Sequence, residues 1–275
     1  MVLWASAFVG IRAAGEQLSP GPLSLARLLV GGIALGALVL VRREALPPRR
    51  DLGGLLVCGL LWFGVYNVAL NEAERRVDAG TAAMLVNVGP VLIAVLAGLL
   101  LREGFPRRLL LGCAVAFAGA VVIGLATSEA GITAGLGAVL CLVAAVAYAA
   151  GVIAQKPLLE RSSALTVTWL ACTIGAVACL PFTGALLREL GSADAATITW
   201  AVYLGVFPTA VGFSTWAYAL ARTSAGRMGA TTYLVPPLTI VLGWLLLGEV
   251  PPALALAGGA LCLAGVYVAR RGPRS

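Results

Sequence analysis

Apolar runs long enough to cross a bilayer follow one another along almost the whole chain, and they restrict the fold more than any other feature. Leu52 to Asn71 passes without a charged residue, and so does Leu109 to Ser128. A helix needs about 20 such residues to span the hydrocarbon core. Ten stretches qualify: residues 1–15, 22–41, 52–73, 79–101, 107–126, 134–155, 163–187, 198–220, 226–247 and 252–269. Only helices or a closed barrel satisfy their backbone in lipid. Barrel strands alternate apolar and polar residues, and these runs do not, so an all-α integral membrane protein with ten transmembrane helices is expected. Composition points the same way. The 275 residues are 60% hydrophobic and 11% charged, with a mean hydropathy of +0.99, whereas about a quarter of a soluble domain is charged.

The charges that remain lie mostly between the runs. Of the 19 Lys and Arg residues, 14 follow helices 2, 4, 6, 8 and 10, while Arg12, Arg27, Arg75, Arg76 and Arg188 lie on or near the opposite side. The positive-inside rule then places both termini in the cytoplasm of a multi-pass inner (plasma) membrane protein. A net charge of +7 and a pI near 9.4 do not point to nucleic acid, because the basic residues sit in short inter-helix clusters. The first run is short for a span, and a start a few residues upstream is expected. Ala5-Ser6-Ala7 has the small residues of a signal-peptidase site but no basic n-region before it.

The chain has no His and six Cys: Cys58, Cys113, Cys141, Cys172, Cys179 and Cys262. Each Cys lies inside an apolar run and none forms a CxxC pair, so they read as small packing groups. No metal and no cofactor are expected.

One sentence is written twice. Asn87 to Glu103 reads NVGPVLIAVLAGLLLRE, and Tyr233 to Glu249 reads YLVPPLTIVLGWLLLGE, 146 positions later. At that offset Ala79-Gly80 falls on Ala225-Gly226, Pro90 on Pro236, Glu103 on Glu249, Pro106 on Pro252, Gly112 on Gly258 and Gly119 on Gly265. Arg12 and Lys156 are weaker counterparts. The repeating unit holds five helices, residues 1–126 and then 134–270. An odd number of crossings turns the second copy upside down. The charges agree: Glu103 stands beside Arg102, Arg107 and Arg108, and Glu249 lies in a loop without Lys or Arg. Two inverted five-helix repeats around a central cavity are the architecture of alternating access, with a solute site near the midplane.

These motifs resemble the EamA domain of the drug/metabolite transporter superfamily. The resemblance rests on Ala79-Gly80, Pro90, Glu103, Gly112 and Gly119, on their second copies with Thr223-Ser224-Ala225-Gly226, and on Trp4-Ala-Ser-Ala-Phe8, Arg12 and Leu25-Ala-Arg27. It covers almost the whole chain. It implies ten helices, a central cavity and export of small metabolites such as amino acids across the inner membrane. Helix 3 departs from it, ending in Asn71-Glu72-Ala73-Glu74-Arg75-Arg76, where the family carries neutral and aromatic residues.

Ionisable groups inside a span are costly and mark function by default. Arg27, about five residues into helix 2, has two readings: a planar fork for a substrate carboxylate, or a snorkelling or Glu72-paired structural residue. Glu72 is the coupling candidate, for a proton or a substrate amine; Glu74, Arg75 and Arg76 beside it are expected to be solvated. Asn67, Asn71, Asn87, Tyr66, Tyr148, Thr231, Thr232 and Tyr233 are the polar groups within spans, as solute ligands or as interhelical bonds. Pro90 and Pro236 each remove a backbone hydrogen bond and are hinge candidates. Trp4 and Trp216 are read as cavity walls. Trp62, Trp169, Trp200 and Trp244 are read as an interfacial belt.

No acid pair, metal cluster or activated nucleophile lies in a span, which argues against an enzyme. No ring of charge or repeated filter argues for a channel. The expected activity is transport of a small amphipathic solute such as an amino acid, in the direction of export. A lipid or lipid-linked sugar flippase of the same fold is the alternative. The solute, the energy coupling and the choice between monomer and homodimer stay open.

Overall fold

In a computed structural model, residues 1–76, 85–127, 135–247 and 252–270 are described. The expected motif residues Ala79-Gly80 and Glu249 lie outside the described residues. The elements of the described residues are all helices, joined by short irregular loops. α1 (Val2–Gly15) and α2 (Pro20–Arg42) open it. α3 (Leu52–Val57) runs through a π-helical segment, Cys58–Val65, into α4 (Tyr66–Ala73). Next come α5 (Val88–Leu100), α6 (Arg107–Thr127), α7 (Leu136–Leu158), α8 (Ala164–Ala178) and α9 (Thr183–Ser192). α10 (Ala195–Leu204) runs through a second π-helical segment, Gly205–Gly212, into α11 (Phe213–Ala221). α12 (Ala225–Ala230), a 3₁₀ turn at Thr231–Leu234, α13 (Val235–Leu247) and α14 (Ala253–Arg270) close the chain.

Six described helices are long and apolar enough to cross a membrane: Pro20–Arg42, Arg49–Ala73, Arg107–Ala126, Leu136–Leu158, Ala195–Ala221 and Ala253–Arg270. Ala164–Ala178 and Leu180–Ser192 add a pair bent by 50°. The sequence predicts a single helix over 163–187, but Pro181 has no N–H to donate and the chain turns there through a 3₁₀ step. Val88–Leu100 is apolar but short; a turn residue at Asn87 (φ −69°, ψ 0°), three residues before Pro90, interrupts the helix. Its counterpart breaks at the Thr231–Leu234 turn, just before Pro236 and Pro237. In both places a proline removes the donor that would have closed the turn.

The chain's two halves interlock. The most extensive packings all join an element before residue 128 to one after 135: α6 with α14, α2 with α8, the first π segment with α7 and α8, α4 and α5 with α7, and α5 with α12. The α6–α14 crossing is the tightest. A Cβ on Gly112 would stand 2.5 Å from Ala269 N, and one on Gly119 would stand 2.6 Å from Cys262 N. Close backbone approach of this kind is how helices gain packing energy where lipid offers no hydrophobic drive. All six cysteines are free and buried.

Polar contacts tie the ends of the bundle. Lys156 Nζ donates to the carbonyls of Leu220 (2.8 Å) and Thr223 (2.9 Å), a cation at the negative end of α11. Glu103 accepts from the backbone N–H groups of Ala225 (2.6 Å) and Gly226 (3.1 Å) at the start of α12. Buried Asp51 pairs with Arg161 at 3.1 Å. Ser19 donates its N–H and its hydroxyl to Glu189.

Candidate functional site

The site is built around an aromatic cluster drawn from α1, the first π segment, α4, α7 and α11. Trp4 stacks near Trp216 (ring centroids 5.1 Å apart) and Phe213 (5.2 Å). Trp62 meets Phe213 at 5.0 Å and Tyr148 at 5.4 Å, Phe63 meets Phe213 at 4.6 Å, and Tyr66 meets Tyr148 at 5.9 Å. Two glycines make room for it. A Cβ on Gly151 would fall 2.5 Å from Trp62 Cβ, and one on Gly89 would fall 2.7 Å from Tyr148 Cδ1. Trp62 is therefore 1% exposed at the centre of the bundle, not in the interfacial belt expected for it. Trp244, at 53% exposed, does sit on the outer surface.

Against this cluster lies a cavity of about 100 Å³, walled among others by Trp4, Ile11, Arg27, Trp62, Tyr66, Leu70, Asn87, Pro90, Tyr148, Phe213 and Thr232. A second cavity, of about 330 Å³, is bordered by Gly212, Thr215, Trp216, Ala219 and Met228. Trp4 stands in the wall of both.

Arg27 is the charged residue of the first cavity. It is 5% exposed. Its Nε donates to Thr209 Oγ1 at 3.2 Å across 182 positions of sequence, and Thr209 in turn donates to Leu204 O. The π geometry matters here, because its wider i→i+5 turns leave carbonyls without their usual partners, a pattern frequent at functional sites. Leu204 O takes the Thr209 hydroxyl, and Pro208 O takes the Trp4 indole N–H at 3.2 Å. The Nη atoms of Arg27 make no hydrogen bond to the described residues. Tyr148 contributes a buried hydroxyl close to the side chain of Thr232, whose own hydroxyl donates to Gly229 O. The wall thus offers one fixed cation, one buried tyrosine hydroxyl and a large aromatic surface.

Other expected ligands are placed behind the wall. Asn67 is 2% exposed and turns its Nδ2 onto Phe63 O (2.8 Å) and Trp62 O (3.4 Å) of its own helix. It serves the freed carbonyls of the first π segment. Asn71 donates to Ser24 Oγ (3.0 Å) and Pro20 O, joining α4 to α2. Tyr233 is fully buried and donates to the backbone carbonyl of Asn87 at 3.0 Å, so it supports the wall residue without standing in the cavity. Trp216 borders the second cavity, and its Nε1 is buried without a partner among the described residues. Pro90 lies in the wall of the first cavity; Pro236 sits at the start of α13.

The two acids of helix 3 part company. Glu72 forms an i,i+4 pair with Arg76 through Oε1, with side chains 31% and 46% exposed. Glu74 was expected in solvent beside it, yet its Oε1 is buried without a hydrogen-bond partner among the described residues. Pattern could have found it: Tyr66, Leu70 and Glu74 recur at four-residue spacing on one helical face, and the first two stand in the cavity wall.

Comparison with known proteins agrees with this architecture. The model of the EamA-like transporter family matches residues 1–125 and 135–271. The chain is 40% identical, over 98% of its length and 91% of the relative's, to a protein of Streptantibioticus cattleyicolor named a probable terminal-alkyne amino-acid exporter. It is 30% identical, over 96% and 86%, to the uncharacterized transporter YdfC of Bacillus subtilis. It is 28% identical, over 98% and 91%, to a probable amino-acid metabolite efflux pump of Salmonella typhimurium. A solved crystal structure shares the fold with a TM-score of 0.80 at 20% identity, covering 98% of this chain and 92% of that one.

Proposed function

The chain belongs to the EamA-like transporter family, and from that membership we propose that this multi-pass membrane transporter exports a small amino acid with a slender apolar side chain across the plasma membrane. The observation that carries the substrate class is Arg27. A guanidinium held by one nitrogen to Thr209 keeps its Nη fork for a planar anion, and a carboxylate fits that fork with two parallel hydrogen bonds. The aromatic wall suits an apolar chain beside it. A cavity of about 100 Å³ walled by α1, α2, α4, α5, α7 and α11 favours a metabolite over a lipid or a lipid-linked sugar.

The mechanism proposed is alternating access between two inverted five-helix repeats, residues 1–126 and 134–270, crossing the membrane ten times with both termini cytoplasmic. Three features support it. The π segments Cys58–Val65 and Gly205–Gly212 occur in matching places in the two halves. Equivalent residues meet each other: Tyr233 bonds Asn87 O and Cys262 bonds Ala116 O, each across 146 positions. Gly112 packs on Gly265, and Gly119 packs on Gly258, the reciprocal contacts that a two-fold axis requires. In this orientation the Arg27 cavity lies in the outer half. Glu103 closes the inner end on Ala225 and Gly226, and the Trp4–Trp216 layer is the septum between the two cavities. Pro90 and Pro236 are the hinges.

Efflux from proteoliposomes loaded with labelled amino acids, with and without a pH gradient, tests the reading. Small aliphatic amino acids leave faster than from protein-free vesicles, and Arg27→Ala returns the rate to that background. Equal efflux from wild type and Arg27→Ala overturns the assignment of the site.

A further inference from the structure

The outer end of α4 holds a carboxylate to which transport by Arg27 alone gives no role. Glu74 follows Ala73, the last residue of its span, and its N–H still bonds Leu70 O at 3.0 Å, so helical geometry carries through it. Counting back by fours gives Leu70 and Tyr66, both in the cavity wall. Glu74 therefore continues the helical stripe of Tyr66 and Leu70, one turn beyond the residues that wall the cavity, whereas Glu72, two residues away, faces outward to Arg76.

Its surroundings are charged but not touching. Arg27 on α2 and Arg12 on α1 attract the Glu74 carboxylate, while Tyr66 on its own helix and Cys141 on α7 sense its charge. Arg27 is bonded to Thr209 and not to Glu74. Glu74 Oε1 is bonded to nothing among the described residues. A buried carboxylate oxygen without a donor is expensive, and a ligand that brings a donor removes that cost. An α-amino acid brings one, because its ammonium and carboxylate sit on a single carbon and can address an acid and a guanidinium that do not touch.

We propose that Glu74 binds the α-ammonium group of the substrate while Arg27 binds its carboxylate, so that the site reads a zwitterion. This deepens the proposed function and rests on it. Burial also pushes the free Glu74 carboxyl up to about 7, against the pull of Arg12 and Arg27. Near neutral pH the empty site then holds a proton for part of the time, and substrate ammonium displaces it.

The test uses the whole purified carrier in detergent, read by quenching of the cavity tryptophans on titration with L-norvaline and with pentanoate, which lacks only the amino group. The wild type binds norvaline about tenfold or more tighter than pentanoate. Glu74→Gln weakens norvaline and leaves pentanoate unchanged, so the ratio falls toward one. Glu72→Gln keeps the wild-type ratio. Retained pentanoate binding reports that the Glu74→Gln protein is folded. A wild-type ratio in Glu74→Gln overturns the assignment of Glu74 while leaving Arg27 intact. Failure of the wild type to bind either ligand overturns the substrate class, and the zwitterion site with it.

Discussion

At the scale of single residues, the proposed chemistry rests on what Arg27 and Glu74 have left to give. Arg27 spends one donor on Thr209. A lysine at that place keeps the charge but loses the planar fork, and hydrogen bonds to charged groups contribute about 1.5–3 kcal/mol. Arg27→Lys is expected to weaken substrate binding by about ten- to a hundredfold, as measured by equilibrium titration, with the thermal unfolding midpoint little changed. The pH dependence is set by Glu74. A carboxyl raised from 4.5 to about 7 in the folded state binds a proton more tightly there than in the unfolded chain. It favours the folded state below about pH 4.5, and that contribution is lost as pH rises toward 7. Substrate ammonium needs the ionised acid, so affinity for norvaline is expected to rise roughly tenfold between about pH 6 and about pH 8. In Glu74→Gln the same titration is flat.

At the scale of elements, the cavity depends on how closely helices approach. Gly151 lets Trp62 reach the centre, and a methyl group there would stand 2.5 Å from Trp62 Cβ. Gly151→Ala is expected to cost about 1–3 kcal/mol of overpacking, seen as a lowered melting temperature in detergent and weaker quenching by substrate. Glu103 joins the end of α5 to the start of α12 through two backbone N–H groups. Removing that cap in Glu103→Ala is expected to cost about 1–2 kcal/mol. In the proposed orientation it also makes the inner end easier to open. Faster labelling of a cysteine placed at Ala219 from the cytoplasmic side is the check, and unchanged labelling speaks against Glu103 as an inner latch.

At the scale of the whole molecule, the proposed mechanism rests on inversion. Two equivalent halves that interlock can exchange shapes, so that one cavity closes as the other opens. The expected labelling pattern is simple: single cysteines at Glu103 and at Glu249 react from opposite faces of the membrane. Reaction of both from the same face removes the inverted repeat and alternating access with it.

Much of this was legible in one dimension. Lipid as the solvent, helices as the spanning element, and the doubled Ala-Gly, Pro and Glu motif follow from composition, run length and spacing. Each is a property of the chain before it packs. Trp4, Arg27, Tyr66, Asn87 and Tyr148, singled out in the sequence, stand in the wall of the first cavity; which further side chains face it was not legible. The two π segments change the phase of the helices that follow them, so the faces of α4 and α11 cannot be counted from the start of their spans. That is why Asn67, expected among the solute ligands, instead serves its own backbone. The contact of Arg27 with Thr209 likewise spans 182 positions, a distance over which no local pattern carries information. Solvation and periodicity are written residue by residue; the facing of a side chain is decided by helix rotation and by the neighbours that the packed bundle brings.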